Sequence, residues 1–234
     1  MSNKNKVELK ANWATKKSAE YACKTWHYSK CLPSGKLVII GFWEDGEFIG
    51  VIIFGRGTSP HLGTKYGLGQ TECVELVRVA MRKHKTEVSK MVKIAFAFLK
   101  KANPKLRLVV SFSAQTEGHY GGIYQAGNWI FAGETASQPE YFYKGKRTTS
   151  RTIAQKAVDM RISIKELCKR GIAKELPAQR KFRYIMPLDK RMRKHILCLD
   201  RPYPKKKESS PSSKDSVASV VQIEEGGATP TDGL

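Results

Sequence analysis

Two apolar runs joined by an Asp-Gly pair restrict this chain to folds that contain an antiparallel hairpin. The runs read KLVIIGFWE and EFIGVIIFGRG, and they flank Asp45-Gly46. An Asp-Gly pair between apolar segments is the strongest short-range signal for a β-hairpin, because these residues accept the positive φ angles of a tight turn. The sequence therefore predicts a β-sheet that contains this pair of strands.

The rest of the pattern adds strands and helices in turn. In the segment EVSKMVKIAFAFLKKA, apolar side chains recur on one helical face with lysines opposite, and Asn103-Pro104 ends this predicted helix. We expect an earlier helix at residues 13–25, and further strands at ECVELVRVAM, LRLVVSF, WIFAGE and EYFYKG. The segment RTIAQKAVDMRISIKELCKRG predicts one or two basic helices, and KFRYIMPLDKRMRKHIL predicts a final strand and helix.

This order predicts an α/β (α+β) fold with a central, mixed, twisted sheet flanked by helices and a basic C-terminal helical extension. Such an order is compatible with the acyltransferase fold of the GNAT superfamily, an analogy of fold that carries no function by itself. The pyrophosphate signature of that superfamily is missing, since the chain reads RKHKTEVSK after VELVRVAM. A phosphate group of a cofactor would then be bound by backbone N–H groups near Val88 and Ser89, helped by Arg82, Lys83 and Lys85.

The charge of the chain indicates a polyanionic partner. The net charge is +21, and residues 205–234 contain four lysines and five acidic residues, so about +22 falls within residues 1–204. A folded domain this basic favours nucleic acid as its partner, with a merely soluble basic protein as the alternative. An anionic membrane surface is less favoured, because no long Lys-rich amphipathic helix stands out. We expect one domain over residues 1–204 and a disordered Ser/Pro/Gly-rich tail over residues 205–234.

The cysteines and the N-terminal residues indicate a reducing compartment. Five cysteines are widely scattered with no zinc-ligand spacing, which favours free thiols. MSNKNKVELK lacks the apolar stretch of a signal peptide, and no run approaches 18 consecutive apolar residues. The expected location is the cytoplasm, with no membrane contact.

The segment RLVVSFSAQTEGHYGGIYQAGNWIFA places a histidine, two tyrosines and four glycines between two strand-like runs. Glycines at this density let the backbone approach another group closely or adopt positive φ angles. The segment is either a helix-and-turn connector between buried strands or part of a ligand site.

Six segments in this order resemble the Mom family of bacteriophage DNA-modification proteins: WHYSKCLPSGKLV, GVIIFGRG, ELVRVAM, LVVSF, GHYGGIYQAGNWIFAGE and RYIMPLDKRMRK. The resemblance covers roughly residues 20–204. It implies a GNAT-like enzyme that converts adenine in double-stranded DNA to N6-carbamoylmethyladenine and so protects phage DNA from host restriction. It also implies acetyl-CoA or a related donor, and iron as Fe(II). The glycine-rich segment would then lie at the open end of the sheet, beside donor and acceptor.

The resemblance assigns catalytic roles to His27, Tyr28, Arg78 and Tyr124. His27 becomes a candidate iron ligand or general base, although an aromatic cluster of this kind is often core packing. Tyr28 could act as a ligand, a proton carrier or a wall for adenine, and Tyr124 would face the reacting centre. Arg78 either lies on a solvent face or grips a phosphate or carbonyl oxygen of the cofactor.

Other positions have open assignments. In a regular strand, Glu75 lies on the face opposite to Arg78, so the two are not expected to pair. Ser89 is either a helix cap or a phosphate contact. The family pattern places an Asp where this chain has Ala114, and Glu117 could take over its role.

Two further groups complete the expected site. His119 is a second candidate metal ligand, and the third ligand is not evident from the sequence. A flipped adenine needs aromatic walls and a close backbone. The substrate-binding candidates are Trp26, Tyr120, Gly121 and Gly122, with Tyr28 and Tyr124 as further rings.

Two other functions fit parts of the sequence. The first is a conventional GNAT N-acyltransferase acting on a protein or small amine, which would not explain the large positive charge. A non-catalytic DNA-binding protein would need the charge alone, and it would leave the concentration of His, Tyr and Gly unexplained. We therefore expect a DNA adenine-modifying transferase.

Overall fold

The computed structural model describes residues 7–57, 61–114 and 120–205. In this part of the chain the strands are β1 Leu9–Trp13, β2 Leu37–Glu44, β3 Glu47–Gly55, β4 Cys73–Met81, β5 Leu108–Ala114, β6 Ile130–Glu134, β7 Gln138–Tyr143, β8 Lys146–Thr149, β9 Ala173–Gln179 and β10 Lys181–Pro187. The α-helices there are α1 Lys16–Trp26, α2 Val88–Ala102, α3 Gly122–Ala126, α4 Ser150–Asp159, α5 Ile164–Lys169 and α6 Lys190–Ile196.

A seven-stranded sheet forms the centre of the fold, in the order β1-β2-β3-β4-β5-β10-β6. Its neighbouring strands are antiparallel except β4 and β5, which are joined through α2 and run parallel. The hairpin predicted around Asp45-Gly46 is β2-β3, and both residues have positive φ, at 50° and 86°. The predicted α/β class with a mixed central sheet and flanking helices is confirmed.

Helices cover both faces of this sheet. On one face, which we call the α2 face, residues of α2 pack on Phe42, Phe54, Val109 and Tyr184. On the opposite face, which we call the α6 face, α1 packs on β2 and β3 while α6 packs on β5 and β10. Alternate residues of each strand therefore reach different helices, as the period of two in a strand requires.

A second sheet follows β6 in the chain and precedes β10. It contains β8, β7 and β9 in that order, all antiparallel, and α4 and α5 pack against it. Its small core contains Tyr141, Ile153 and Leu167. Of these strands the sequence predicted only β7, because the AKELPAQ segment of β9 is mostly exposed and has no apolar run.

The start of the chain also differs from the prediction. The helix expected at residues 13–25 begins later, at Lys16, and Thr15 caps it by accepting a hydrogen bond from the Ser18 N–H at 3.1 Å. The preceding residues form β1, an edge strand paired with β2. Edge strands are solvated on one side, so their sequences carry little of the apolar pattern that identifies a central strand.

The chain divides into two units, Met1–Pro204 and Lys205–Leu234. Residues 206–234 lie outside the described part of the chain, so the expected disorder of the tail stays a prediction. Among the described residues, no helix is long and apolar enough to cross a membrane.

The carboxylate of Asp189 joins α6 to the sheet. Its Oδ1 accepts the Met192 N–H at 2.6 Å as the N-cap of α6, and its Oδ2 accepts Nε of Arg107 at 3.0 Å. The bond from Arg107 is the main reason why the pKa of Asp189 is below its ordinary value. A group with a lowered folded-state pKa stabilises the fold above its unfolded pKa of about 3.9, and this contribution is lost as the pH falls through the folded value.

We expect Asp189→Ala to lower the free energy of unfolding at pH 7 by about 1–2 kcal/mol, since it removes a helix cap and leaves a guanidinium without its partner. Urea unfolding measures this. Asp159→Ala is the matched control, because Asp159 pairs with Lys156 at the surface and should matter much less. Equal effects of the two variants at pH 7 would contradict the role of Asp189.

Candidate active site

A cleft opens where β4 and β5 part. The two strands are paired from Cys73 and Leu108 up to Leu76 and Ser111, and beyond this point no pairing joins them. Both strands nevertheless continue, β4 along β3 and β5 along β10. The unpaired lengths therefore form two walls that diverge toward the C-terminal ends of the parallel strands, where open α/β sheets commonly bind ligands.

A β-bulge lies at the point where β4 leaves β5. Ile53 of β3 pairs with Arg78 and Phe54 pairs with Leu76, so Val77 is the extra residue. The bulge shifts the alternation of the strand: Leu76 and Val79, three residues apart, both pack into the core of the α2 face. Bulges of this kind redirect side chains and recur beside active sites.

The bulge also brings Glu75 and Arg78 to the same face. The expectation that they lie on opposite faces is wrong, because it assumed a regular strand. Burial raises the pKa of the Glu75 carboxyl above its ordinary value, and the positive charge of Arg78 offsets part of this rise.

Arg78 lies within β4, and the described residues leave a buried donor of its guanidinium group without a hydrogen-bond partner. Its Nη1 donates to the carbonyl oxygen of Val77 at 2.8 Å, while its Nε is buried and has no hydrogen-bond partner among the described residues. A buried polar donor without a partner is uncommon in proteins, and at a cleft it suits an anionic or carbonyl oxygen of a ligand.

Glu75 is a site residue that the sequence analysis did not assign. Burial raises the pKa of its carboxyl above the ordinary value, although Lys181 and Arg78 act in the opposite direction. Gly57 lets the neighbouring loop come close, because a Cβ at that position would lie 2.8 Å from Oε2 of Glu75. A carboxyl with a raised pKa in a cleft is a candidate general base. The available signal was one acidic residue within an apolar strand.

Tyr124 is anchored to the point where the strands part. Its hydroxyl lies 2.7 Å from Oγ of Ser111, and this Oγ donates to the carbonyl oxygen of Leu76 at 2.8 Å. The Ser111 hydroxyl therefore links the Tyr124 hydroxyl to the backbone of Leu76 in β4.

The hydroxyl of Tyr124 is neutral near pH 7. Burial raises its pKa to about 12, and the neighbouring Tyr28 and Glu75 act in the same direction. A group that keeps its proton to such a high pH is a poor general base at pH 7. Its predicted position near the reacting centre stays a prediction, and Glu75 is the better candidate to accept a proton.

Gly121 explains part of the glycine-rich segment. It has a φ of +78°, and a Cβ there would lie 2.4 Å from two ring atoms of Tyr184. The same tyrosine donates its hydroxyl to the carbonyl oxygen of Tyr120 at 2.5 Å and stacks on the ring of Tyr124. Gly122, in contrast, has open space around it. The close approach of the backbone thus serves the ring of Tyr184 and sets the position of Tyr124.

His27 follows α1 and is buried, with only 8% of its surface exposed. The N–H of Ser29 donates to its Nδ1 at 3.1 Å, so a neutral ring carries its proton on Nε2. Nδ1 also lies 2.8 Å from Oγ of Ser29, and the expected roles of His27 as a metal ligand or general base stay predictions.

The three candidate aromatic walls besides Tyr124 have different surroundings. The ring of Trp26 packs against Tyr21 and Phe48 and serves the core of the α6 face. The ring of Tyr120 packs against Phe182. The ring of Tyr28 contacts the ring of His27 in a tilted arrangement, with centroids 4.3 Å apart, and Tyr28 is 51% exposed.

The described residues do not fit an iron centre. Across residues 7–57, 61–114 and 120–205, no group of three or more His, Cys, Asp or Glu side chains could hold a metal ion. Glu117 and His119 lie outside the described residues, so their expected roles stay predictions. We derive no chemical step through iron.

Val88 and Ser89 open α2, as predicted, and the helix has no side-chain cap. The buried carboxylate of Glu44 accepts the N–H groups of Lys85 and Thr86 just before it. Burial raises the pKa of Glu44, but these hydrogen bonds outweigh it and leave the pKa lowered. The first N–H groups of α2 are those that a helix leaves without an internal acceptor.

The comparison with known proteins gives a family and one curated relative. The model of the Mom protein family matches residues 8–205 of this chain. The methylcarbamoylase Mom of Escherichia phage Mu is 26% identical over 196 residues, which is 77% of this chain and 77% of the relative.

Solved acetyltransferases are also similar. The acetyltransferase of Bacillus subtilis in complex with CoA is 12% identical, with 79% of this chain and all of that chain covered, at a TM-score of 0.43. Arabidopsis thaliana NAA60 in complex with a bisubstrate analogue is 10% identical, with 78% of this chain and all of that chain covered, at a TM-score of 0.44. At these values the likeness says nothing about the ligands of this chain.

We expect Gly121→Ala to lower the free energy of unfolding by at least about 2 kcal/mol, because alanine is strained at positive φ and would overlap the Tyr184 ring. Gly122→Ala is the matched control and should be neutral or stabilising by up to about 1 kcal/mol, since it adds a methyl to a helix in open space. Urea unfolding of both variants measures the difference. A Gly121→Ala variant as stable as Gly122→Ala would contradict the close packing on Tyr184.

Proposed function

This chain belongs to the Mom protein family, and we propose that it is a phage DNA-modification transferase that converts adenine in DNA to N6-carbamoylmethyladenine. The observation that carries the proposal is the family match over residues 8–205. The named relative from phage Mu is a methylcarbamoylase. The modification would protect phage DNA from host restriction enzymes, as the family resemblance implies.

The charge of the chain supports DNA as the substrate. The net charge is +21, with 42 Lys and Arg residues against 21 Asp and Glu residues. Phosphate contacts by Lys and Arg dominate the affinity of proteins for duplex DNA. A small amine or a neutral peptide would gain nothing from this excess.

The target nitrogen of adenine is inaccessible within a duplex. An enzyme that acts on it must turn the base out of the stack and hold it against apolar or aromatic groups. Tyr28 is suited to this task in the described structure, because it combines an exposed ring with a position near Tyr124. We propose that the flipped adenine enters the cleft between β4 and β5 against Tyr28.

The reaction also needs a proton acceptor and a group that binds the donor. When N6 forms its bond to the methylene carbon of the donor, the donor's leaving group departs with its electron pair and N6 loses one proton. We propose that ionised Glu75 accepts this proton. Arg78 would bind an oxygen of the donor through its guanidinium group. Neutral Tyr124 would hold the adenine by its anchored ring.

The family resemblance implies acetyl-CoA or a related carrier-bound donor. Because the methyl carbon of acetyl-CoA bears no leaving group, we propose a related carrier-bound carbamoylmethyl group whose methylene carbon bears the leaving group. Val88 and Ser89 at the start of α2 are the groups that would hold its phosphates, since Glu44 already occupies the N–H groups just before them. A thioester reacts at its carbonyl, whereas a carbamoylmethyl group attaches through its methylene carbon. Ordinary acyl transfer therefore does not give the proposed product.

Nucleosides from the DNA of bacterial cells that express this chain test the reaction. We expect mass spectrometry to find deoxyadenosine heavier by one carbamoylmethyl group, and none in cells that carry the empty vector. Unmodified deoxyadenosine under good soluble expression would contradict the proposal, and an acetylated protein or amine in its place would favour a conventional acyltransferase.

We expect Glu75→Gln to reduce the rate of modification by about 10²–10⁴-fold, because it removes the proton acceptor. The parent's rate should rise with pH through the raised pKa of Glu75, and this rise should be lost in the variant. A raised carboxyl pKa means that ionisation opposes folding as the pH rises through it, so Glu75→Gln should not reduce stability at pH 7.

The matched control for Glu75→Gln is Glu175→Gln, which alters an exposed carboxyl of β9 and should leave the rate unchanged. Tyr124→Phe should lower the rate at least tenfold without moving its pH dependence near neutrality, since Tyr124 does not titrate there. A Glu75→Gln variant with the parent's rate and pH profile would remove Glu75 from the mechanism.

A further inference from the structure

We propose that a basic track on the α6 face binds the sugar–phosphate backbone of duplex DNA and leads it to the cleft between β4 and β5. The inference rests on the proposed function and adds where the duplex lies. The track, called here the α6 track, consists of basic residues from the segment before β4, from β10 and from α6: Lys65, Lys181, Arg183, Arg191, Lys194 and His195.

The first part of the α6 track runs along β10. Phe182 and Tyr184 pack into the core of the α2 face, so Lys181 and Arg183 project to the α6 face. Lys181 lies opposite Ala114 at the cleft, where its charge acts on Glu75. The track therefore begins at the proposed reaction centre.

The middle of the track joins β10 to the segment before β4. The ammonium group of Lys65 lies 4.6 Å from the centre of the Tyr66 ring. Packing around its stem and the neighbouring Arg183 charge lower the pKa of Lys65 to about 8, although the residue reaches solvent. Two cations held this close repel one another, and a bound phosphate between them would relieve the repulsion.

The far end of the track is a cavity beside α6. It has a volume of about 340 Å³ and is lined by Tyr66, Gly67, Arg107, Arg191, Met192, Lys194 and His195. Arg107 is engaged with Asp189, and Met192 faces the core. The remaining charged groups of the wall, from Arg191, Lys194 and His195, are exposed and therefore accessible to a ligand.

The cations of the track lack acidic partners. Within the described residues, Lys65, Lys181, Arg183, Arg191 and Lys194 form no salt bridge. Asp189, beside the α6 end of the track, is paired with Arg107. An unneutralised row of cations is complementary to a polyanion.

The length of the track suits a duplex. Six steps along β10, from Lys181 to Pro187, span about 20 Å at 3.3 Å per residue. The axis of duplex DNA rises 3.4 Å per base pair, so this distance corresponds to about six base pairs. The α6 end would therefore hold phosphates several base pairs from the adenine in the cleft.

Binding of a fluorescent 20-base-pair duplex to the full chain, measured between 50 and 200 mM salt, tests the proposal. Arg191→Ala/Lys194→Ala should weaken binding at 0.1 M salt by at least about tenfold, and should make the slope of log K against log salt less steep by about 2. The same variant should raise KM for DNA and leave kcat unchanged, because neither residue reaches the cleft.

The control is Lys90→Ala/Lys93→Ala, which removes two exposed charges from α2 on the other face and should change the affinity less than twofold. Lys165→Ala/Lys169→Ala does the same on α5 beside the second sheet. Circular dichroism verifies that each variant is folded.

The outcomes separate this proposal from the proposed function. No binding of DNA by the parent chain would contradict the proposed function. Binding by the parent with an unchanged salt slope in Arg191→Ala/Lys194→Ala would overturn the α6 track alone. A larger loss in Lys165→Ala/Lys169→Ala would place the duplex on the second sheet instead, and tighter binding of a single-stranded RNA of equal length would overturn duplex DNA as the partner.

Discussion

One extra residue in β4 determines the geometry on which the candidate site depends. Val77 has no partner of its own on β3, and the strand leaves its parallel neighbour β5 at this point. The same bulge turns Glu75 and Arg78 to one face and leaves the carbonyl oxygen of Leu76 to the hydroxyl of Ser111. A regular strand would keep β4 and β5 paired further along and would separate the carboxyl from the guanidinium.

The sequence predicted those parts of the fold in which burial leaves a periodic pattern. The hairpin β2-β3, helix α2, strand β5 and the pair β10-α6 all have apolar residues at the period of their structure. β1 and β9 escaped prediction because exposed strands have no such pattern. The bulge was not predictable, because Val77 is as suitable for a regular strand as its neighbours are. The proposed role of Glu75 depends on this bulge and was therefore not predictable either.

The candidate site was predictable only as a set of segments. The resemblance to a family selected Arg78 and Tyr124, and the structure brings both to the cleft. It could not anticipate that Ser111 links Tyr124 to the backbone of Leu76 or that the Ser29 N–H donates to Nδ1 of His27. Roles of this kind depend on individual hydrogen bonds. Some of these bonds join residues that are distant in sequence, and others involve a single backbone group. Glu117 and His119 stay predictions.

The second sheet is joined to the central one through two adjacent strands. It leaves from the end of β6 and returns at the start of β10, where the Thr135 N–H donates to the carbonyl oxygen of Lys181 at 2.9 Å and Oγ1 of Thr135 accepts the Lys181 N–H at 3.0 Å. Because its two ends meet, a connection of a few residues could replace it at a small entropic cost. The second sheet can thus be exchanged, lengthened or lost in evolution while the register of the central sheet is preserved.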